Sequence, residues 1–166
     1  MTFYLVLKAI HICAVVMFLG NIVTGLFWMG HAKQSRNLQI ISFTMQGIIK
    51  SDKWFTIPGV LIIVIGGIGT AVKGGLPLLR TGWIFWSIVL FTISGLVFAW
   101  KVAPLQKAIH DLTKTALMKE DHNSFWQEFQ RNYNAWEFWG AIAIITPLIA
   151  LFMMVAKMPA TTFFLK

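Results

Sequence analysis

Four stretches of this chain are apolar for long enough to cross a hydrocarbon core of about 30 Å, which takes about 20 helical residues. They run over residues 3–29, 53–72, 82–101 and 135–157. Within lipid every backbone N–H and C=O must be bonded inside the protein, so a spanning segment is a helix or a strand of a closed barrel. None of the four alternates polar and apolar residues with a period of two, which leaves helices. The expected fold is all-α: an integral membrane four-helix bundle, formed as a single domain by residues 1–166.

Composition agrees, with 57% hydrophobic and 12% charged residues where a soluble domain has about 25% charged. The chain is basic, with 14 Lys and Arg against 6 Asp and Glu. Those cations sit in short segments between apolar runs, where they orient a membrane protein and meet anionic lipid. No aromatic-basic RNA motif accompanies them, so the expected surroundings are a lipid bilayer and not a nucleic acid. Cys13 is the single cysteine, which rules out an internal disulfide. The first apolar run is too long for a signal-peptide core and no A-x-A site follows it, so it reads as a retained span.

Charge settles the expected orientation. Lys33, Arg36, Lys50 and Lys53 lie between spans one and two, and Lys101, Lys107, Lys114, Lys119 and Arg131 between spans three and four. Lys8, Lys73, Arg80, Lys157 and Lys166 fall on the other side. The bias places both long connections in the cytoplasm and both termini outside. These connections should be amphipathic helices: Leu38, Ile41, Met45 and Ile48 recur at helical spacing, as do Leu105, Ile109, Leu112 and Ala116. Each would lie on the membrane or continue a span into the cytoplasm. Ser124 with Gln127 resembles a capping box for a helix carrying Phe125, Phe129, Tyr133 and Trp136, Asp52 suits the N-cap of span two, and Pro58 should bend that span. No repeat is obvious along the chain, and a two-plus-two arrangement of spans is open.

Lys8 and His11 are the ionisable pair inside the first run, on one helical face with Val15, Phe18 and Ile22. An imidazole facing lipid would leave its nitrogens unbonded at a cost of several kcal/mol, so His11 should point into the bundle. One reading is a packed histidine bonded to Ser, Thr or backbone of a neighbouring helix; the others are a haem or metal ligand, or a proton relay. Lys8 can snorkel to water or to an anionic ligand. Asn21, flanked by Gly20 and Thr24, reads as a packing residue, as do Gly66 and Thr70 in span two. His31, His110 and His122 lie outside the apolar runs with no metal-binding spacing, and Glu137 should pair with Arg131 or Lys53. No hydrolase, nucleotide-binding or zinc-protease motif is present, so any catalysis would depend on a bound cofactor.

The start "LKAIHICAVVMFLGNI", the "SDKWFTIPGV" turn into span two, the "GW" opening span three and the closing "WEFWGAIAIITPLIALFMMVAKMP" together resemble one bacterial family over essentially the whole chain. It is the four-span integral membrane family numbered 2269 among the domains of unknown function. That family is similar, more distantly, to HemJ-type protoporphyrinogen oxidases and CopD-type copper-resistance proteins, through a first-span histidine followed about ten residues later by glycine, here His11 and Gly20. The HemJ likeness implies haem b in the bundle with His11 as axial ligand to the iron, and Lys8 one turn away can pair with a propionate. The sixth position would fall to a methionine, another protomer or nothing. HemJ-like proteins also use a lysine in a later span, and residues 82–100 contain none. The resemblance thus implies a haem-b protein of the bacterial inner membrane, in electron transfer or haem metabolism, with a redox partner or a second copy of the chain. The alternatives are a carrier or resistance protein for a small solute or metal, and a non-catalytic partner subunit.

Overall fold

The computed structural model describes residues 2–118 and 123–158, and among them the chain is helical with no strand. Four long helices follow one another: α1 (Thr2–Gln34), α2 (Leu38–Lys73), α3 (Gly82–Met118) and α4 (Asn123–Ala156). Of the two placements expected for the amphipathic connections, the structure shows the second. They continue spans two and three, and α2 and α3 reach 36 and 37 residues. At 1.5 Å per residue such helices are about 54–56 Å long, roughly 25 Å more than the hydrocarbon. His122 and Lys119 lie outside the described residues, as does the side chain of Ser124 in the expected capping box.

Short-range chemistry sets the turns. Asn37 caps α2, its side chain accepting from the N–H groups of Gln39 and Ile40 at 2.9 and 3.3 Å. At the other end of α2, Gly75 takes a φ of +67°. Its N–H bonds Val72 while Leu76 bonds Ala71, a left-handed closure that glycine adopts without a steric cost. The 74–81 connection lies at the same end of the bundle as residues 2 and 158, called here the terminal end. Residues 35–37 mark the opposite, connection end.

α2 and α3 each contain a five-residue π turn, Asp52–Thr56 and Phe98–Val102. Both have the same cause. Pro58 and Pro104 have no N–H to offer the carbonyl four residues back, and their rings crowd it. That residue is a tryptophan in both cases, Trp54 and Trp100. The helix absorbs the defect by widening, so that Ile57 N–H bonds Asp52 and Ala103 N–H bonds Phe98, five residues back. Pro58 thus produces the expected local distortion, but Asp52 is not an N-cap: its backbone is helical, and α2 runs straight through it. Pro147 deprives Ala143 of its helical donor in the same way, and Ser94 Oγ supplies a replacement from α3 at 2.6 Å.

The π turns mark a change in packing. Toward the connection end all four helices share one core, including Met29, Ile41, Met45, Ile109, Phe129 and Trp136. Toward the terminal end they separate into two hairpins. α1 lies against α2 where Gly59, Gly66 and Gly67 admit Phe18 and His11. α3 lies against α4, tied by Ser87 to the Ala150 carbonyl and by Ser94 to that of Ala143. No Cα of residues 57–73 comes within 8 Å of one in 82–97. Exposed Trp54 (72%) and Trp100 (71%) ring the bundle at the π turns beside exposed Lys53 and Lys101. An aromatic-basic rim of this kind sits at a membrane interface. From Asp52 to Lys73 is about 32 Å of helix, one hydrocarbon thickness. The connection-end half accordingly projects from the membrane.

Candidate functional site

The π turn of α2 brings a carboxylate inward at the junction of the two packing regimes. Asp52 is 7% exposed. Its Oδ1 accepts from Asn21 Nδ2 on α1 at 3.0 Å and from Thr56 Oγ1 at 2.6 Å, and its Oδ2 accepts from Gln106 Nε2 on α3 at 2.8 Å. Asn21 Nδ2 also reaches Thr56 Oγ1 at 2.9 Å. Thr56 and Gln106 are themselves 2% and 4% exposed. All three donors are neutral. The carboxylate is satisfied in hydrogen bonds while its charge is not balanced by any of them.

A cavity of about 30 Å³ adjoins this cluster, lined among others by Asn21, Gly25, Asp52, Gln106 and Trp136. That is room for one or two water-sized species, against the hundreds of Å³ a small organic ligand fills. Trp136 is 3% exposed and its indole N–H has no acceptor. The cavity wall thus carries one free buried donor and one carboxylate. A second cavity of similar volume lies between the hairpins toward the terminal end and shares Ile22, Phe98 and Ala143 with the first. Phe18 and Phe91, also in its wall, meet at a tilt with 5.6 Å between ring centres. Phe98, which lines both spaces, belongs to the second π turn.

His11 does point toward a neighbouring helix. Its Nδ1 lies 2.8 Å from the Ile63 carbonyl of α2, and a carbonyl can only accept, so Nδ1–H is the donor and, in the neutral ring, Nε2 holds the lone pair. The imidazole is half-buried against the bare backbone of Gly67, where a Cβ would fall 2.9 Å from His11 Cε1. A backbone-bonded histidine is one of the readings its position in the sequence allowed. The free Nε2, with Nδ1–H held by a carbonyl, is also the arrangement of ligating histidines. Neither cavity is lined by His11 or by Lys8, which is exposed.

Other expectations resolve locally. Glu137 accepts from Tyr133 at 3.4 Å instead of pairing with Arg131 or Lys53, and Lys33 lies over the Tyr133 ring. His31 stacks on Phe27, while His110 Nδ1 is buried without a partner. Asn21 belongs to the polar cluster and is more than a packing residue. Gln106 is a residue that sequence reasoning passed over. The signal was available: Asn21 in an apolar run, Asp52 and Gln106 lie about 29, 32 and 36 Å of helix from the terminal end, so antiparallel spans bring them to nearly one level.

The family model described as "Predicted integral membrane protein (DUF2269)" matches residues 5–158. No curated protein and no solved structure matches the chain. The expected wider likeness to HemJ-type and CopD-type proteins, drawn from His11 and Gly20, is not shown by these matches.

Proposed function

We propose, from the premise that this chain belongs to the DUF2269 family of integral membrane proteins, that it is a carrier for a small cation with Asp52 as the binding group. One observation carries the reading: a carboxylate, 7% exposed, held at the membrane-level junction of two hairpins by neutral donors only. Burying such a charge costs several kcal/mol unless a cation or proton joins it, and ionisable groups within a span mark ion pathways. The arrangement around it supports movement. Two helices depart from α geometry beside the site, as transporter helices do. The second cavity lies between the hairpins, with Thr56 of the cluster and the Phe18–Phe91 pair in its wall.

In this reading the connection end, which holds nine of the fourteen Lys and Arg, faces the cytoplasm of a bacterial inner membrane. Proteoliposomes supply the test, with proton, sodium, potassium and methylammonium as probes. Wild-type protein should pass at least one of them and Asp52→Ala should not; flux of none by the wild type overturns the reading. The second reading is haem b on His11, favoured by the free Nε2. When bound, haem would supply one-electron chemistry, and His11 would hold its iron. A visible spectrum of purified protein, oxidised and reduced, decides it.

A further inference from the structure

Resting on the carrier reading, we infer that the species Asp52 binds is the proton, and that Gln106 is the amide that accommodates it. Three observations select the proton. The cavity beside Asp52, about 30 Å³, admits a water or two but no organic cation. No cluster of three or more His, Cys, Asp or Glu of the kind that holds a transition-metal ion occurs among the described residues. Among the described residues Asp52 is the only titratable side chain lining that cavity, and the buried Trp136 N–H lacks an acceptor that a water there would provide.

The surrounding charges do not compete for the role. At this level α1 contributes only the neutral Asn21. On α2, Lys50 and Lys53 are exposed. On α3, Lys101 and Lys107 are exposed, and His110 lies one turn toward the connection end. On α4, Tyr133 and Glu137 bond each other beneath Lys33.

The chemistry is an O–H bond made and broken. With Asp52 ionised, Oδ2 accepts from Gln106 Nε2. A proton arriving from water forms the O–H bond on Oδ2, which then needs an acceptor. Rotation of the Gln106 amide by half a turn exchanges its N–H for its carbonyl oxygen at the same position. Oδ1 keeps its bonds from Asn21 and Thr56 throughout. Release reverses the steps and returns the proton to water. The Asp52 carboxyl is thereby bonded in both protonation states, which a fixed donor such as lysine could not achieve. Gln106 acts as a positioning residue.

Difference infrared spectroscopy of the full-length protein in nanodiscs tests this across a pH titration. The wild type should show a carboxylic-acid C=O band that appears reversibly on acidification and is assigned by isotope-labelled aspartate. Asp52→Asn should abolish it. Gln106→Leu, which keeps Asp52, should shift its frequency because the acid O–H loses its acceptor. A band identical in wild type and Asp52→Asn, or no band in the wild type, overturns the proton site. If Asp52→Asn does not fold, a labelled-aspartate band unmoved by Gln106→Leu overturns it equally. Sodium, potassium or methylammonium flux without the band would leave the carrier reading standing and sink the proton. The band without flux of any probe would do the reverse.

Discussion

Replacing Asp52 separates a bonded carboxylate from a merely polar position, because two substitutions pull in different directions. Asp52→Ala removes the acceptor of Gln106 Nε2 and of Thr56 Oγ1, in residues 4% and 2% exposed, while Asn21 Nδ2 keeps its second bond to Thr56. Each buried donor left unbonded costs about 1–3 kcal/mol. Two effects offset part of this: the Thr56 hydroxyl can turn to a carbonyl of its own helix, and an unbalanced buried charge is gone. The net loss should be about 2–4 kcal/mol. For a chain of this size that lowers Tm by roughly 4–16 °C. Asp52→Asn keeps an oxygen for Asn21 and Thr56 and presents an N–H₂ that a rotated Gln106 carbonyl accepts. It should stay within about 1 kcal/mol of the wild type. Thermal unfolding of the purified proteins in one detergent measures both. An Asp52→Asn variant as unstable as Asp52→Ala would show that the cluster needs the negative charge, and would refute the neutral-state bonding inferred for it. An Asp52→Ala variant as stable as the wild type would show that the cluster contributes nothing.

The remaining expectations probe other parts of the bundle. Gly67→Ala puts a Cβ 2.9 Å from His11 Cε1 and 3.2 Å from Nδ1; it should destabilise the wild type by about 1–2 kcal/mol, yet stabilise a His11→Ala background by up to about 1 kcal/mol through helix propensity. Unfolding of the four proteins gives the cycle, and the same sign in both backgrounds would refute the wedge. Purified wild type with a Soret band that His11→Ala removes would establish haem, whereas His11→Ala losing only stability would confine His11 to packing. Reporter fusions after Lys114 and at Lys166 should read cytoplasmic and external; a cytoplasmic signal at Lys166 reverses the orientation. Deleting Phe55, which is 47% exposed within the π turn, should return that turn to α geometry with both flanks in phase and leave a folded protein. Deleting Val64 from regular helix would rotate the flanks by about 100° and should abolish folding.

The helical architecture was legible because its cause is the solvent. Twenty apolar residues without alternation leave the backbone no alternative in hydrocarbon, and the periodicity of Leu38, Ile41, Met45 and Ile48 marked the face that now packs in the core. What the sequence obscured was continuity. "SDKW" combines a cap-like Asp with a charge step and a nearby Pro, the signature of a helix start, and the chain instead passes through it as helix. Tertiary bonding decided this: Asp52 accepts from donors on α1 and α3, so its side chain serves three helices and not the first turn of its own.

The site was less legible than the fold because its parts are ordinary when read one at a time. Asn21 is one polar residue among glycines, Gln106 lies in an amphipathic stretch, and Trp136 looks like one more member of an aromatic face. The clue with a mechanism was a repeated W-x-x-x-P, Trp54 to Pro58 and Trp100 to Pro104. In each copy the proline removes one hydrogen bond and the helix widens to recover it five residues back. Each π turn inserts a residue into the helical register, so the face presented before the turn differs from that after it. Before the turns the helices pack as one core; beyond them they part into hairpins with a cavity between. The same insertion turns Asp52 and Thr56 inward while Lys53 and Trp54 face outward to the membrane rim. A proline placed four residues after an interfacial tryptophan therefore fixes both the depth of the protein in the bilayer and the place where a carboxylate can be buried.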